Sequence, residues 1–231
     1  MKNSRILFLL FFGLIIGCKT ETKKKDTPVQ KVESKEHTTP EKIALAHGFE
    51  NWKNVNEVKF TFNVDREDSH FERKWIWFPK TKNVTHITSK DTITYNRSDM
   101  DSVAFKVNAG FINDRYWLFA PFNLMWDKNS YDYFEVENDS APIAKIPMNR
   151  LTITYGSEGG YTPGDAYDFY FEDDYVLKEW VFRKANQEEP SMITTWENYL
   201  DTMGLKLARD HRNDLGDFKL YFDGVEIKTE N

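Results

Sequence analysis

The sequence predicts a mainly β domain of the α+β class, an antiparallel sheet interrupted by helices near its start and its centre. Three observations predict it. Apolar residues recur at a period of two through much of the chain, as in Val58, Phe60, Phe62 and Val64 set against Lys59, Thr61 and Asn63. Two stretches break that period with helical patterning. Aromatic residues make up 16% of the chain, ample material for a core.

The first helix starts at Pro40, with Glu41 in its first turn and Ile43, Ala44, Leu45 and Ala46 in its body, and Gly48 ends it. His47 reads as a residue of the helix C-cap, with a ligand or metal contact as the functional alternative. The strand through Val58 and Val64 comes next. In HFERKWIWFP, Phe71, Arg73, Trp75 and Trp77 share one face and Glu72, Lys74, Ile76 and Phe78 the other, so both faces turn apolar toward the end. Two short strands, 84–88 and 92–96, joined at Ser89-Lys90-Asp91, complete an antiparallel meander.

The central insert is expected to begin with Asn113 or Asp114 as N-cap, to be broken or kinked at Pro121, and to continue through Trp126. It is apolar on nearly every side, which requires burial on more than one face. Strands are then expected at 131–136, 149–155, 167–171, 175–183, 192–199 and 217–227. The turn Glu172-Asp173-Asp174 lacks the spaced oxygens and glycine of a calcium loop and reads as a solvated turn. The glycine-rich loop 156–165 is followed neither by a helix nor by a Lys-Ser/Thr pair, so it reads as a mobile rim loop and not a phosphate cradle.

The N-terminus carries the most specific motif. Lys2 and Arg5 precede an almost wholly apolar run at 6–17, the size of a signal-peptide core and too short to span a bilayer as an ordinary helix. Leu14-Ile15-Ile16-Gly17-Cys18 resembles a bacterial lipobox. That resemblance implies a diacylglycerol on the Cys18 thiol, cleavage before it, and acylation of the new amine, palmitate-type chains holding the protein to a membrane. Cys18 is the only cysteine, so no intrachain disulfide competes with this role. The expected organisation is a signal peptide at 1–17, a lipidated cysteine and flexible tether at 18–39, and a single β-rich domain at 40–231. Residues 19–39 hold two valines among Lys, Glu and Thr and bury too little to order themselves. Lys19 is not the Asp of an inner-membrane retention signal, which favours the outer membrane of a Gram-negative envelope, on either of its faces.

Charge excludes one class of partner. From residue 40 onward there are 23 basic and 33 acidic side chains, a net −10 that repels nucleic-acid backbones. A mean hydropathy of −0.66 excludes a polytopic membrane protein. No cofactor motif, nucleophile elbow, zinc-protease motif or metal-ligand spacing occurs. His211, flanked by Asp210, and His70, with Glu72 two residues on, are the nearest approaches to a general base, and a surface or hydrogen-bonded histidine accounts for either.

The order helix, four strands, apolar insert, about six strands, on a lipidated tether, resembles the LolA and LolB lipoprotein carriers, in which a curved, half-open antiparallel barrel is covered by helices over a hydrophobic cavity. The strings HGFENWKNVNEVKFTF, NRLTITY and DAYDFYFEDDYVLKEWVFR are also similar to an uncharacterised family of Gram-negative outer-membrane lipoproteins of that architecture. The resemblance carries over no catalytic residue and implies a non-enzymatic protein. It implies an interior that takes a hydrophobic or amphipathic ligand, a lipid or a lipoprotein acyl chain. Aromatic residues on both strand faces nominate Trp75, Trp77, Tyr116, Trp117, Phe119, Trp126, Tyr167, Phe169, Trp180 and Phe182 as its lining. The alternatives are an interaction module of an envelope protein complex and, last, a hydrolase using His211 or His70.

Overall fold

The computed structural model describes residues 36–230. The expected signal peptide, Cys18 and most of the tether lie outside them. A compact unit begins at His37, three residues earlier than the domain boundary drawn from composition. The reason is local. Helix α1 (Thr39–Ala46) is closed at its start by the Thr38 N–H, which donates to Glu41 Oε2 at 2.9 Å, so Thr38 and Thr39 belong to the domain. At its end Gly48 takes a left-handed φ of +84°, and a Cβ there would stand 1.9 Å from the Gly204 carbonyl oxygen.

Thirteen strands follow among the described residues, eleven of them in two main sheets. Strands β1 (Val55–Arg66), β2 (Ser69–Phe78), β3 (Asn83–Ile87) and β4 (Thr92–Asn96) form the expected meander, with Val58 opposite Trp77 and Trp77 opposite Val84. After the long helix α2 (Ser102–Trp126) come β5 (Tyr131–Ser140), β6 (Pro147–Tyr155), β7 (Ala166–Phe171), β8 (Leu177–Arg183) and β9 (Met192–Thr195). The chain ends with β10 (Leu200–Thr202), β11 (Leu205–Leu207), β12 (Asp210–Arg212) and β13 (Phe218–Thr229). One sheet runs β12-β13-β1-β2-β3-β4, a second runs β5-β6-β7-β8-β9, and β10-β11 is a separate ribbon.

The two sheets meet where β9 adjoins β12. There the Arg212 N–H donates to Thr195 Oγ1 at 3.1 Å, His211 Nδ1 lies 3.1 Å from the Thr195 carbonyl oxygen, and Glu197 bridges Asp210. The result is a curved antiparallel surface that does not close into a barrel. Its edges are β4 and β5, which are consecutive in sequence and joined by α2. The helix therefore crosses the concave face from one edge to the other. It packs against both sheets, with Trp117 on Trp180 of β8 at 4.5 Å and Phe111 on Trp77 of β2 at 5.5 Å between ring centroids. Every residue from Tyr116 to Leu124 is buried, as its all-round apolar character requires.

Three expectations need correction: the start of α2, the start of the 175–183 strand, and the 192–199 strand, which ends at Thr195. Helix α2 does not begin at Asn113 or Asp114: its N-cap is Asp101, whose Oδ1 accepts from the Val103 and Ala104 N–H groups at 3.0 and 2.8 Å. The first turns look unhelical because they leave Val103 and Phe105 exposed and carry Gly110 on the side facing β2, where a Cβ would stand 2.9 Å from the Arg73 guanidinium. Pro121 kinks this helix without ending it, and the distortion sits at Phe119 (φ −124°, ψ 22°). The strand expected from residue 175 starts at Leu177, because Tyr175 has a φ of 57°. Three-residue strands at β10, β11 and β12 were invisible to a period-two pattern, which needs four or more residues to register.

Candidate functional site

An aromatic cleft of about 270 Å³ opens between α2, the second sheet and the outer end of the first. Its walls come from five strands and one turn of helix: Phe62 and Val64 of β1, Phe218 and Leu220 of β13, Trp180 and Phe182 of β8, Tyr167 of β7 and Met192 of β9, with Asn113 and Trp117 of α2 facing them. The glycine-rich loop supplies the remaining wall through Tyr161 and Thr162. Gly160, at φ +73°, has no side chain to collide with the Tyr155 ring, which a Cβ would approach at 2.4 Å. That close approach lets Tyr161 stack flat on Tyr116, centroids 3.7 Å apart and planes within 3°. Thr162 Oγ1 and Tyr167 Oη are 2.9 Å apart, which ties the loop to the sheet.

Of the ten nominated residues, the structure brings Trp117, Tyr167, Trp180 and Phe182 to the cleft. Tyr116 and Phe169 stand directly behind them, 5.9 and 6.2 Å from Trp180. Trp75, Trp77, Phe119 and Trp126 belong to a separate aromatic cluster farther along α2. There Trp52 packs on Trp77, Phe119 and Trp126 at 5.0 to 5.4 Å. Arg66, Asn113, Tyr161, Met192, Phe218 and Leu220 were not nominated. Arg66 and Tyr161 lie at a hairpin end and in a loop, where no periodicity marks a face, and the others carried no aromatic-strand signature or looked like ordinary core.

Electrostatics divide the interior. The cleft walls are apolar apart from Arg66, Asn113, Thr162 and the tyrosine hydroxyls, and burial pushes the Tyr161 and Tyr167 phenols well above their ordinary range, so both stay neutral. The Trp180 indole N–H, in a residue only 2% exposed, has no hydrogen-bond partner among the described residues. In the other cluster the Arg115 guanidinium lies over Trp77 and Trp126 at 5.5 and 4.9 Å, and desolvation lowers its pKa to about 10. It remains a cation at neutral pH.

The histidines are differently occupied. His47 is buried, with Nδ1 2.8 Å from the Ile43 carbonyl oxygen, and desolvation lowers its pKa to about 4. His211 is also fully buried, ringed by Trp117, Trp196 and Phe222, with a pKa lowered to about 4 by the same cause. It is the hydrogen-bonded histidine that the sequence allows, held at Nδ1 by the Thr195 carbonyl and placed in the core. Its neighbour Asp210 turns away to Arg212 and Lys219. His70 meets two carboxylates, Asp65 directly across the hairpin at 2.7 Å and the expected Glu72 at 3.9 Å, and the hydrogen bond to Asp65 above all raises the imidazole pKa. The pair is solvent-exposed, and Ser69 Oγ donates to the Arg66 carbonyl instead of to His70. Neither histidine is thus set beside an activated hydroxyl. Among the described residues no cluster of His, Cys, Asp and Glu is arranged to hold a metal ion, and no helix is long and apolar enough to cross a membrane.

No protein-family model and no curated protein matches the chain in sequence. Similar solved structures include a LolA superfamily protein from Nitrosomonas europaea, with 9% identity and a TM-score of 0.49 over 84% of this chain and 96% of that one. A DUF1329 family protein from Desulfovibrio piger is also similar, with 10% identity and a TM-score of 0.45 over 81% of this chain and 92% of that one.

Proposed function

We propose that the domain binds a hydrophobic or amphipathic molecule in the cleft between α2 and the concave sheet, as a lipoprotein of the cell envelope held to its membrane through Cys18. The observation that carries this reading is the cleft itself, walled by Trp117, Tyr167, Trp180, Phe182 and Phe62. A helix that fills the concave face elsewhere leaves this end unfilled. Water in such a hollow finds few partners, so an apolar ligand that displaces it gains free energy of about 25 cal/mol for each Å² of apolar surface removed from water.

The test is direct. The protein purified from membranes is extracted and analysed for co-purified lipid, and its thermal unfolding is followed with and without added acyl ligands. Bound lipid is expected in the extract. A ligand at a hundredfold its dissociation constant should add about 2.7 kcal/mol, and so raise Tm by roughly 5–10 °C. An extract free of lipid together with an unchanged Tm would overturn the reading.

A second reading, an interaction module of an envelope complex, draws on different residues. Phe105 at the start of α2 is 67% exposed, and Tyr133 and Phe134 on the edge strand β5 are 44% and 54% exposed. Recovery of a stoichiometric partner from intact membranes, lost on Phe105→Ser or Phe134→Ser, would favour it.

A further inference from the structure

The cleft does not end at its aromatic walls. A second hollow of about 440 Å³ adjoins it, sharing Arg66, Met192 and Phe218, and lined beyond them by Glu67, Ser69, Ser191, Ile193, Asn213 and Asp217. The inner hollow is mainly apolar and the outer one mixed with more polar surface, so the two together have the layout of a site for a tail and a head. Arg66 stands at the junction.

Arg66 is the one cation among the residues lining either hollow. Its guanidinium lies over the Phe218 ring at 5.2 Å, which orients it along the shared wall. No carboxylate lies within ion-pair distance of it among the described residues, although acidic residues are near: Asp65, before it in sequence, is taken by His70, Asp217, next to its cross-strand partner Phe218, accepts from Asn213 Nδ2 at 2.5 Å, and Glu67, after it, lines the outer hollow. An exposed arginine held in place by an aromatic ring, unpaired, beside an apolar hollow, matches an anionic head whose tail enters that hollow.

Volume limits the tail. At about 30 Å³ for each water-sized group, the inner hollow has room for about nine such groups, one chain of about ten carbons. The two or three long chains of a lipidated cysteine exceed that. Resting on the ligand-binding reading above, we infer that the site takes a single-chain carboxylate, a medium-chain fatty acid, with its tail in the inner hollow against the wall that Trp117 and Trp180 form together and its carboxylate on Arg66.

The full chain carrying Cys18→Ser, prepared without detergent, supplies the test. Two of the seven tryptophans line the inner hollow, so binding of 12-bromododecanoate should quench part of the intrinsic fluorescence and saturate at one ligand per protein. Dodecanoate should displace it. Arg66→Gln should weaken dodecanoate binding about tenfold or more, Arg66→Lys should restore part of that loss, and dodecanol should bind the parent and Arg66→Gln equally. An unchanged dodecanoate affinity in Arg66→Gln, or dodecanol binding as tightly as dodecanoate, overturns the carboxylate assignment while leaving an apolar-ligand cleft standing. Saturation at two or more chains, or a triacylated lipopeptide that competes at equal affinity, overturns the single-chain assignment. Failure of every amphiphile to bind overturns this inference and the function it rests on together.

Discussion

Arg73 on β2 and Asp114 on α2 form a two-pronged ion pair, Nε to Oδ2 at 2.7 Å and Nη2 to Oδ1 at 2.5 Å, with the Asp114 side chain wholly buried. Trp75 Nε1 donates a third bond to the same carboxylate at 2.8 Å. Burial alone raises the Asp114 pKa and Arg73 opposes that rise, so the pair holds a charge where the surroundings disfavour one. Arg73→Met removes the counter-charge and leaves the carboxylate stranded. Urea denaturation should show a loss of about 3–5 kcal/mol. Arg73→Lys, which keeps the charge but not the fork, should lose less. A loss below about 1 kcal/mol in Arg73→Met would show that the pair does not secure α2 to the sheet.

The two buried histidines predict acid sensitivity. His47 and His211 have native pKa values lowered to about 4 from an ordinary 6.5, so between those values the unfolded chain binds more protons than the native one. Stability from this source is fully present above pH 6.5 and is lost as pH falls toward 4. Each residue contributes on the order of 3 kcal/mol across that window. Urea midpoints measured from pH 7.5 to pH 4 should fall steeply below 6.5, and His211→Gln should flatten the slope by about half whatever it does to stability at neutral pH. A slope unaltered by His211→Gln would contradict the assignment.

Two glycines separate backbone strain from steric collision. Gly48 and Gly164 both have left-handed backbones, at φ +84° and +85°, but a Cβ on Gly48 would strike the Gly204 carbonyl whereas one on Gly164 meets nothing within 4 Å. Gly164→Ala should cost about 1 kcal/mol, the conformational penalty alone. Gly48→Ala should cost at least about 2–3 kcal/mol, because α1 or the β10–β11 turn must also move. Thermal unfolding of both variants gives the comparison, and equal losses would mean that the close approach of Gly48 to Gly204 is readily relieved.

Cys18 lies outside the described residues, and its role is tested in cells. Cys18→Ser should move the protein from the membrane fraction to the soluble fraction, and metabolic labelling with a palmitate analogue should be lost with it. Retention in the membrane after the substitution would remove the lipid anchor from the proposal.

Much of the sheet was readable residue by residue. Val58, Phe60 and Phe62 alternate in sequence because alternate side chains of a pleated strand face opposite sides, and they are buried as that pattern implies. Where both faces are covered the pattern blurs. All six residues of β7 are buried, because residues 141–146 fold over its outer side, pinned by Glu179, which accepts from the Ile143 and Ala144 N–H groups at 2.7 Å each. Asp168 alternates with Tyr167 and Phe169 and is a carboxylate in the midst of this strand. It is 3% exposed, held by Arg183 and by Thr152 Oγ1 at 2.6 Å, partners from neighbouring strands that no local pattern reveals.

The sequence by itself determined the class of the domain, the existence and order of its longer strands, the all-round burial of the central helix, and the aromatic character of the interior. These are local consequences of backbone periodicity and composition, written within a few residues of where they act. Only the tertiary structure decided that α2 begins at Asp101, that Asp114 and His211 are core residues, and that the aromatic residues divide between a packed cluster and a cleft. A cleft is a place where packing stops. Whether Trp75 and Trp180, alike in sequence context, meet side chains or empty space depends on elements far away along the chain, and chiefly on where one kinked helix lies between two sheets.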